Sequence, residues 1–232
     1  LGAPPILALT ATAPLLVRED IERRLFTPLK DENRHFQFIA LDTFRDNLKL
    51  GAITAANADT KLSDVIGLAQ RLPGPGIIYA RSRKNCEEIA LILRNQGLKA
   101  EHYHAGISNR AHVQNRFMDG ETDIIVATIA FGMGIDKPDI RYVVHADLPK
   151  SIEAYYQEIG RAGRDGAPAA TLTLYGADDI RLRRAQIDEG LAPDARKEAD
   201  HGRLNALLGL AETPFCRRKA LLGYFGEEIE EN

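Results

Sequence analysis

Residues 123–147 read DIIVATIAFGMGIDKPDIRYVVHAD, and they decide the fold. Two short apolar runs, one ending at Thr128 and one at Asp147, are rich in β-branched residues and show no polar alternation. Strands of that kind are buried on both faces, the situation of a parallel sheet covered by helices. Between them lies the glycine-rich segment FGMGIDKP.

Outward from this stretch, strands and helices alternate. GIIYA (76–80), AEHY (100–103) and AATLTLYG (169–176) read as further strands. A helix capped by Ser82 and ended by Gly97, one near 110–118 and one capped by Ser151 fall between them. Before the hard stop PGPG (73–76), LKLGAIT (48–54) and HFQFIA (35–40) read as strands. Asp59 caps a helix whose apolar stripe is Leu62, Val65, Ile66, Ala69 and Leu72. At the front, ILAL (6–9) reads as a short buried strand. A helix near 14–26 follows, with Thr12 as N-cap, Pro14 in the first turn, and Val17, Ile21 and Leu25 on one face. Alternation at this spacing predicts an α/β fold with a doubly wound parallel sheet. From about residue 177 the strand patterns cease, and a charged helical appendage runs to the acidic tail GEEIEEN.

Composition narrows the class. The 232 residues are 44% hydrophobic and 27% charged with no Trp, an ordinary globular balance. A net charge of −3 argues against nucleic-acid binding through bulk positive charge, while leaving room for a narrow track of phosphate contacts. No apolar run is long enough to span a bilayer, so no membrane partner is expected. Two distant cysteines, Cys86 and Cys216, make neither a disulfide framework nor a metal pair, and a cytoplasmic location is expected. The opening LGAPPILALTATAP lacks a basic n-region and an initiator Met, and reads as a piece of a longer chain. No oligomeric state follows.

Motifs that would hold a nucleotide alone are missing. No GxxxxGK[ST] occurs, so no phosphate-cradling loop with its Lys is present. EADH (198–201) is a solvated helix face rather than an acidic metal box, and no GxSxG, HExxH or paired CxxC appears. Several strand ends nevertheless carry chemistry. Thr128 ends a strand, and Gly132, Gly134 and Asp136 follow it; glycines allow backbone N–H groups close to phosphate, and Asp136 can accept from a ribose hydroxyl. Taken alone, a glycine turn packing Phe131 and Met133 explains that stretch better. YHAG (103–106) is a small-residue turn, in which His104 alone is an ordinary loop histidine. YARSR (79–83) puts Ser82 at a helix N-terminus, where anions and a plain cap fit equally well. In YYQEIGRAGRDG (155–166), Gly160 fits a helix end, and Arg161 and Arg164 leave on a glycine-shaped path. Arginine binds phosphate oxygens in a planar fork.

Taken in order, LALTATA, GIIYARSR, YHAG, IIVATIAFGMGIDKP and YYQEIGRAGRDG resemble motifs III to VI of superfamily-2 helicases, and in detail the RecQ family of DNA helicases. AFGMG and YYQEIGRAGRDG are the most specific, and the likeness covers nearly the whole chain. The resemblance implies two RecA-like lobes with ATP and Mg2+ between them, and an ATP-dependent 3′-to-5′ DNA helicase. It divides the chain into the end of the first lobe (1–30), the helicase C-terminal RecA-like lobe (31–176), and part of a zinc-binding region (177–232). Arg164 matches the arginine finger, and Arg161 the arginine that couples hydrolysis to movement. Gln157, Gly134 and Asp136 match the nucleotide side of the cleft, and Thr10 and Thr12 match motif III. Single-stranded and junction DNA would be contacted by Ser82, Arg83, His104, Ala105, Gly106, Asn115 and Thr128, chiefly phosphate by phosphate. The principal partner is the missing first lobe.

Departures from the family pattern are specific. The loop at 107–110 is about two residues short, and Asp46 stands where the family usually shows proline. CRRKALLGYFGE (216–227) resembles the start of the zinc region, with Cys216 as first ligand. A structural zinc takes four ligands, so no bound Zn2+ is expected in this chain. Alternatives are a stand-alone nucleic-acid-binding or regulatory module and an RNA helicase lobe. Tyr156 and Gln157 stand where RNA helicases of the DEAD-box kind show a His-Arg pair. A Rossmann-like small-molecule enzyme would need a glycine fingerprint after the first strand, and none is there.

Overall fold

The computed structural model describes residues 6–10, 13–26, 37, 39, 45–129, 131 and 135–227. Asp46–Thr213 form one compact unit, and residues 1–45 with 214–232 form another.

The larger unit is built on six strands: β1 (Leu48–Thr54), β2 (Gly76–Tyr79), β3 (Ala100–Tyr103), β4 (Ile124–Ala127), β5 (Tyr142–His145) and β6 (Ala169–Tyr175). All pair in parallel, in the order β1-β6-β5-β2-β4-β3. Every residue of β2, β4 and β5 is buried, as unbroken apolar strands under two helical layers require. The doubly wound parallel sheet expected from residues 123–147 is therefore present.

Helices α2 (Ala58–Arg71) and α3 (Arg83–Asn95) cover one face. Val65, Ala69, Ile89, Ala90 and Leu93 pack there on Ile78, Val126 and Val144. Leu62, Ile66 and Leu72 complete the α2 stripe from partly buried positions. The N-cap of α2 is Asn57, whose side chain accepts from Thr60 N at 2.9 Å, and not Asp59, which sits inside the first turn. An Asn cap and an Asp in the first turn are both favourable, so composition alone does not separate them.

On the other face, α4 (Arg110–Met118) and the irregular β4–β5 connection pack Val113, Phe117, Phe131, Ile135 and Ile140 against Ile77, Ile125 and Val143. After β5 comes α5 (Ile152–Ile159), and after β6 come α6 (Ala177–Asp188) and α7 (Asp194–Glu212). Tyr175, Ile187, Leu204, Leu208 and Ala211 form a cluster of their own, with Ala52, Leu148 and Ile180 against it. The helical run after residue 177 thus begins as a layer packed on the sheet.

In the smaller unit, α1 is Leu15–Ile21, continued by a π-helical turn at Glu22–Phe26, and α8 is Arg217–Tyr224. Two expectations change here. Residues 6–10 are not a strand, and Leu7 and Leu9 are 80% and 84% exposed; a strand needs a hydrogen-bonding neighbour, and none pairs with them among the described residues. The α1 stripe is also not buried, since Val17 and Leu25 are exposed. A π turn advances the helix by more than 3.6 residues per turn and takes Leu25 off the i, i+4, i+8 line. Of the expected strand at 35–40 only Gln37 and Ile39 are described, both exposed and neither in a strand, and the Thr12 cap lies outside the described residues.

Candidate functional site

The expected arginines leave α5 together. Ser151 caps that helix by accepting from Ala154 N at 3.3 Å. Gly160 ends it with ordinary right-handed geometry (φ −62°). The left-handed positions are Gly163 (φ +58°) and Gly166 (φ +80°), so the turn is made three residues later than Gly160 suggests. A Cβ on Gly163 would lie 2.5 Å from Asn47 Nδ2 and 2.8 Å from the Ala167 carbonyl. Only glycine fits there.

Backbone and side-chain bonds fasten this turn. Gly163 N–H donates to the Ile140 carbonyl (2.8 Å), and Asp165 N–H to that of Pro138 (3.2 Å). Arg141 donates to Asp165 Oδ2 at 2.6 Å, and Ala167 N–H donates to Asp165 Oδ1 at 3.0 Å. Those bonds, the Arg141 one first, hold the Asp165 carboxyl below the usual aspartate range.

Arg164 donates to the Ile135 carbonyl (3.1 Å), to Asp136 Oδ1 (2.5 Å) and to the Gly160 carbonyl (3.3 Å). Asp136, expected to face a ribose, is thus ion-paired with the expected finger. The Asp136 side chain is 85% exposed and that of Arg164 34%, so water competes for the pair and the guanidinium is easily released. Arg161 lies deeper. Its Nε is buried without a protein acceptor, and its guanidinium stands beside the Tyr79 hydroxyl. Tyr79 donates to the Phe131 carbonyl at 3.0 Å; burial, first of all, raises its phenol above the ordinary range. His145 Nε2 and Glu158 Oε2 are 2.8 Å apart and buried, and Tyr79 and Tyr155 flank the imidazole. Gln157 is exposed on α5; Gly134 and Thr12 lie outside the described residues, and Thr10 is exposed.

Six of the other expected contacts follow three neighbouring strands. Ser82 and Arg83 come after β2, His104 to Gly106 after β3, and Thr128 after β4; in the sheet these strands run β2-β4-β3. Their side chains are largely committed to the chain itself. The Ser82 hydroxyl accepts from Asn85 N (3.1 Å) and donates to Asn85 Oδ1 (2.8 Å). His104 is buried, with Nε2 2.9 Å from Glu87 Oε1 and Nδ1 accepting from Gly106 N–H at 3.1 Å. Ala105 and Gly106 are exposed beside it. Asn115 is exposed on α4, away from the strand ends in sequence. Behind the β2 loop, Lys61 Nζ bridges Asp147 (2.9 Å) and Asp179 (2.7 Å). Asp147 also accepts from Arg81 N–H, and Asp179 from Gly176 N–H, both at 2.9 Å. This largely buried ionic knot ties α2, the β2 loop, the end of β5 and α6 together. The spacing of the sequence carried no sign of it.

Glu87, His102 and His104 are the one group of metal-capable side chains close together among the described residues. Because His104 Nδ1 accepts from Gly106 N–H, the neutral ring carries its proton on Nε2, toward Glu87. That tautomer offers a metal no lone pair there. Cys216 belongs to no such group; it precedes α8 as an exposed thiol, its pKa lowered first by the Lys219 N–H.

The parallel six-stranded sheet with these helices is the RecA-like lobe found at the C-terminal side of helicase motors. The C-terminal domain of the DEAD-box protein Dbp5 matches it with a TM-score of 0.53 and 20% identity, over 68% of this chain and 98% of that one. Dbp5 of S. cerevisiae bound to RNA and ADP BeF3 matches with a TM-score of 0.61 and 20% identity, over 86% of this chain and 54% of that one. Within that class the sequence is more particular. The helicase conserved C-terminal domain matches residues 58–166, and the RecQ zinc-binding family matches residues 177–232. RecQ-like DNA helicase blm-1 of Caenorhabditis elegans is 45% identical over 98% of this chain, and the ATP-dependent DNA helicase RecQ of Pasteurella multocida is 42% identical over 98%. The chain belongs to the RecQ family of DNA helicases. It spans 23% of the length of the first relative and 35% of the second. Among the described residues no helix is long and apolar enough to cross a membrane.

Proposed function

We propose that the chain is the second motor lobe of an ATP-dependent 3′-to-5′ DNA helicase, with residues 1–30 closing the first lobe, 31–176 forming the second, and 177–232 opening the zinc-binding region. The observation that carries this is the arginine turn: two guanidiniums emerge on either side of Gly163, from a backbone bonded to the β4–β5 connection. The buried, unmatched Nε of Arg161 and the releasable Arg164–Asp136 pair suit an anion arriving from outside the chain. ATP with Mg2+ would supply the phosphoryl group whose transfer to water drives the cycle. This chain contributes Arg164 toward the charge that develops on that group, an effect of roughly 10³–10⁵ in rate for arginine fingers. Arg161, which follows α5 and stands beside the Tyr79 hydroxyl of β2, would transmit the state of the cleft to the sheet. Gln157, Gly134 and Asp136 line the nucleotide side. Thr10 and Thr12 belong to the coupling segment of the first lobe.

DNA runs over the ends of β2, β4 and β3. There the committed side chains of Ser82 and His104 shape loops, which present Arg83, Ala105, Gly106 and Thr128 to phosphates; Asn115 extends the track on α4. Contacts of that type position a strand without reading its bases. The test is unwinding by the full-length protein on duplexes with 3′ or 5′ single-stranded tails and on an RNA duplex. Unwinding of the 3′-tailed DNA alone, dependent on ATP, is expected. Preference for the RNA duplex or the 5′ tail, or no ATP turnover with retained DNA binding, would overturn the proposal.

A further inference from the structure

We infer that Asn47 is a positioning residue for the arginine turn, a role that rests on the assignment of Arg164 made above. Its amide nitrogen donates to the Gly163 carbonyl at 2.8 Å and to the Ala167 carbonyl at 2.9 Å. Both neighbours are carbonyl oxygens, so only the NH2 end of the amide fits, and both of its hydrogens are used. The Asn47 carbonyl in turn accepts from Ala169 N–H at 3.0 Å. One residue at the entrance of β1 thereby joins the two ends of the segment that enters β6.

Gly163 is the fixed point between Arg161 and Arg164. Its left-handed φ and the 2.5 Å approach of Asn47 Nδ2 to the position of a Cβ show that amide and glycine fit as a pair. The opposite side of the turn is bonded to Pro138 and Ile140, in the connection that also offers Ile135 and Asp136 to Arg164. The Arg164 backbone is therefore clamped between β1 and the β4–β5 connection, while its side chain ends on an exposed acceptor. A transition-state contact needs this: a backbone placed before the nucleotide arrives, and a guanidinium free to move the last few ångströms. An aspartate at 47 would turn lone pairs toward two carbonyls. An alanine would leave both carbonyls without this partner.

The experiment uses the full-length protein with Asn47→Ala and Asn47→Asp, and with Arg164→Ala as reference. It measures ATP turnover with single-stranded DNA, affinity for ADP, and affinity for ADP with aluminium fluoride and Mg2+. Both Asn47 variants are expected to lower kcat and aluminium-fluoride-complex affinity by roughly 10–100-fold, with ADP affinity and the KM for ATP within about twofold, as loss of a contact made only in the transition state requires. Unchanged kcat, or equal losses of ADP and aluminium-fluoride-complex affinity, would overturn the role of Asn47. Normal turnover by Arg164→Ala would instead overturn the finger assignment, so the two failures are separable. Amide exchange on the unsubstituted protein without nucleotide guards against variants that do not fold. The Gly163 and Asp165 amides are expected to be protected, and exchange at the rate of an open loop would refute a prearranged turn.

Discussion

The arginine turn and the strand-end loops use the same kinds of residue in opposite ways. At the turn, the backbone of 160–167 is fastened by Asn47, Ile140, Pro138 and the Arg141–Asp165 pair. The side chain of Arg164 rests on an exposed carboxylate. At the strand ends, the side chains are the fasteners: Ser82 caps α3, His104 grips Glu87 and Gly106, and Asp147 holds the Arg81 amide. One region fixes its backbone and leaves a charge releasable, which the proposed finger role calls for. The other shapes a backbone edge, which the proposed phosphate track calls for.

The largest expected effect falls on the strand-end side. Lys61→Ala removes the ammonium between Asp147 and Asp179 and leaves only the half-exposed Arg81 guanidinium 4.0 Å from Asp179, and breaking such a largely buried arrangement is expected to cost about 3 kcal/mol. Urea unfolding checks this, and a change below about 1 kcal/mol would place the knot at the surface in solution. On the other side, Gly163→Ala forces a left-handed alanine into contact with Asn47 and the Ala167 carbonyl, at a cost of about 2–3 kcal/mol. The same denaturation series reads it. Ser82→Ala removes a cap and is expected to cost about 1 kcal/mol. A larger loss in DNA affinity than in stability would show that the hydroxyl also meets phosphate.

A pH experiment separates the two regions further. His102, on β3 beside His104, has its pKa lowered first by burial and then by its neighbour. Protonation therefore favours the unfolded chain: stability is full above the ordinary value of 6.5 and declines as pH falls below it. The melting temperature should drop between pH 7 and pH 5, and drop less in His102→Gln. Asp165, with its pKa depressed by Arg141, keeps its contribution until pH falls below the ordinary aspartate value. The smallest effect is that of Asp136→Ala, which removes only an exposed partner of Arg164; stability should change by no more than about 0.5 kcal/mol.

Local signals carried the sheet into view. The unbroken apolar runs of β2, β4 and β5, the Ser82 and Ser151 caps and the Gly97 stop are short-range facts, and the structure has them where their spacing puts them. What stayed hidden is long-range. Asn47 meets Gly163 and Ala167 across more than a hundred residues, and Lys61 meets Asp147 and Asp179 across similar distances. Periodicity cannot report contacts of that kind. The sequence flagged Asp46 as unusual and passed over Asn47 beside it. The glycines of GRAGRDG suggested a tight path, but that the left-handed positions are Gly163 and Gly166 and not Gly160, and that Gly163 lies against Asn47, are tertiary facts. ILAL reads as a strand because its side chains are right for one, and pairing requires a neighbour that the local pattern does not encode.

The central claim is that Arg164 acts on a nucleotide held across a cleft, and the direct measurement is ATP turnover by full-length Arg164→Ala with single-stranded DNA present, alongside its ATP affinity. The account predicts a fall in kcat of roughly 10³-fold or more, with ATP affinity nearly unchanged. Turnover within a few-fold of the unsubstituted protein would contradict it.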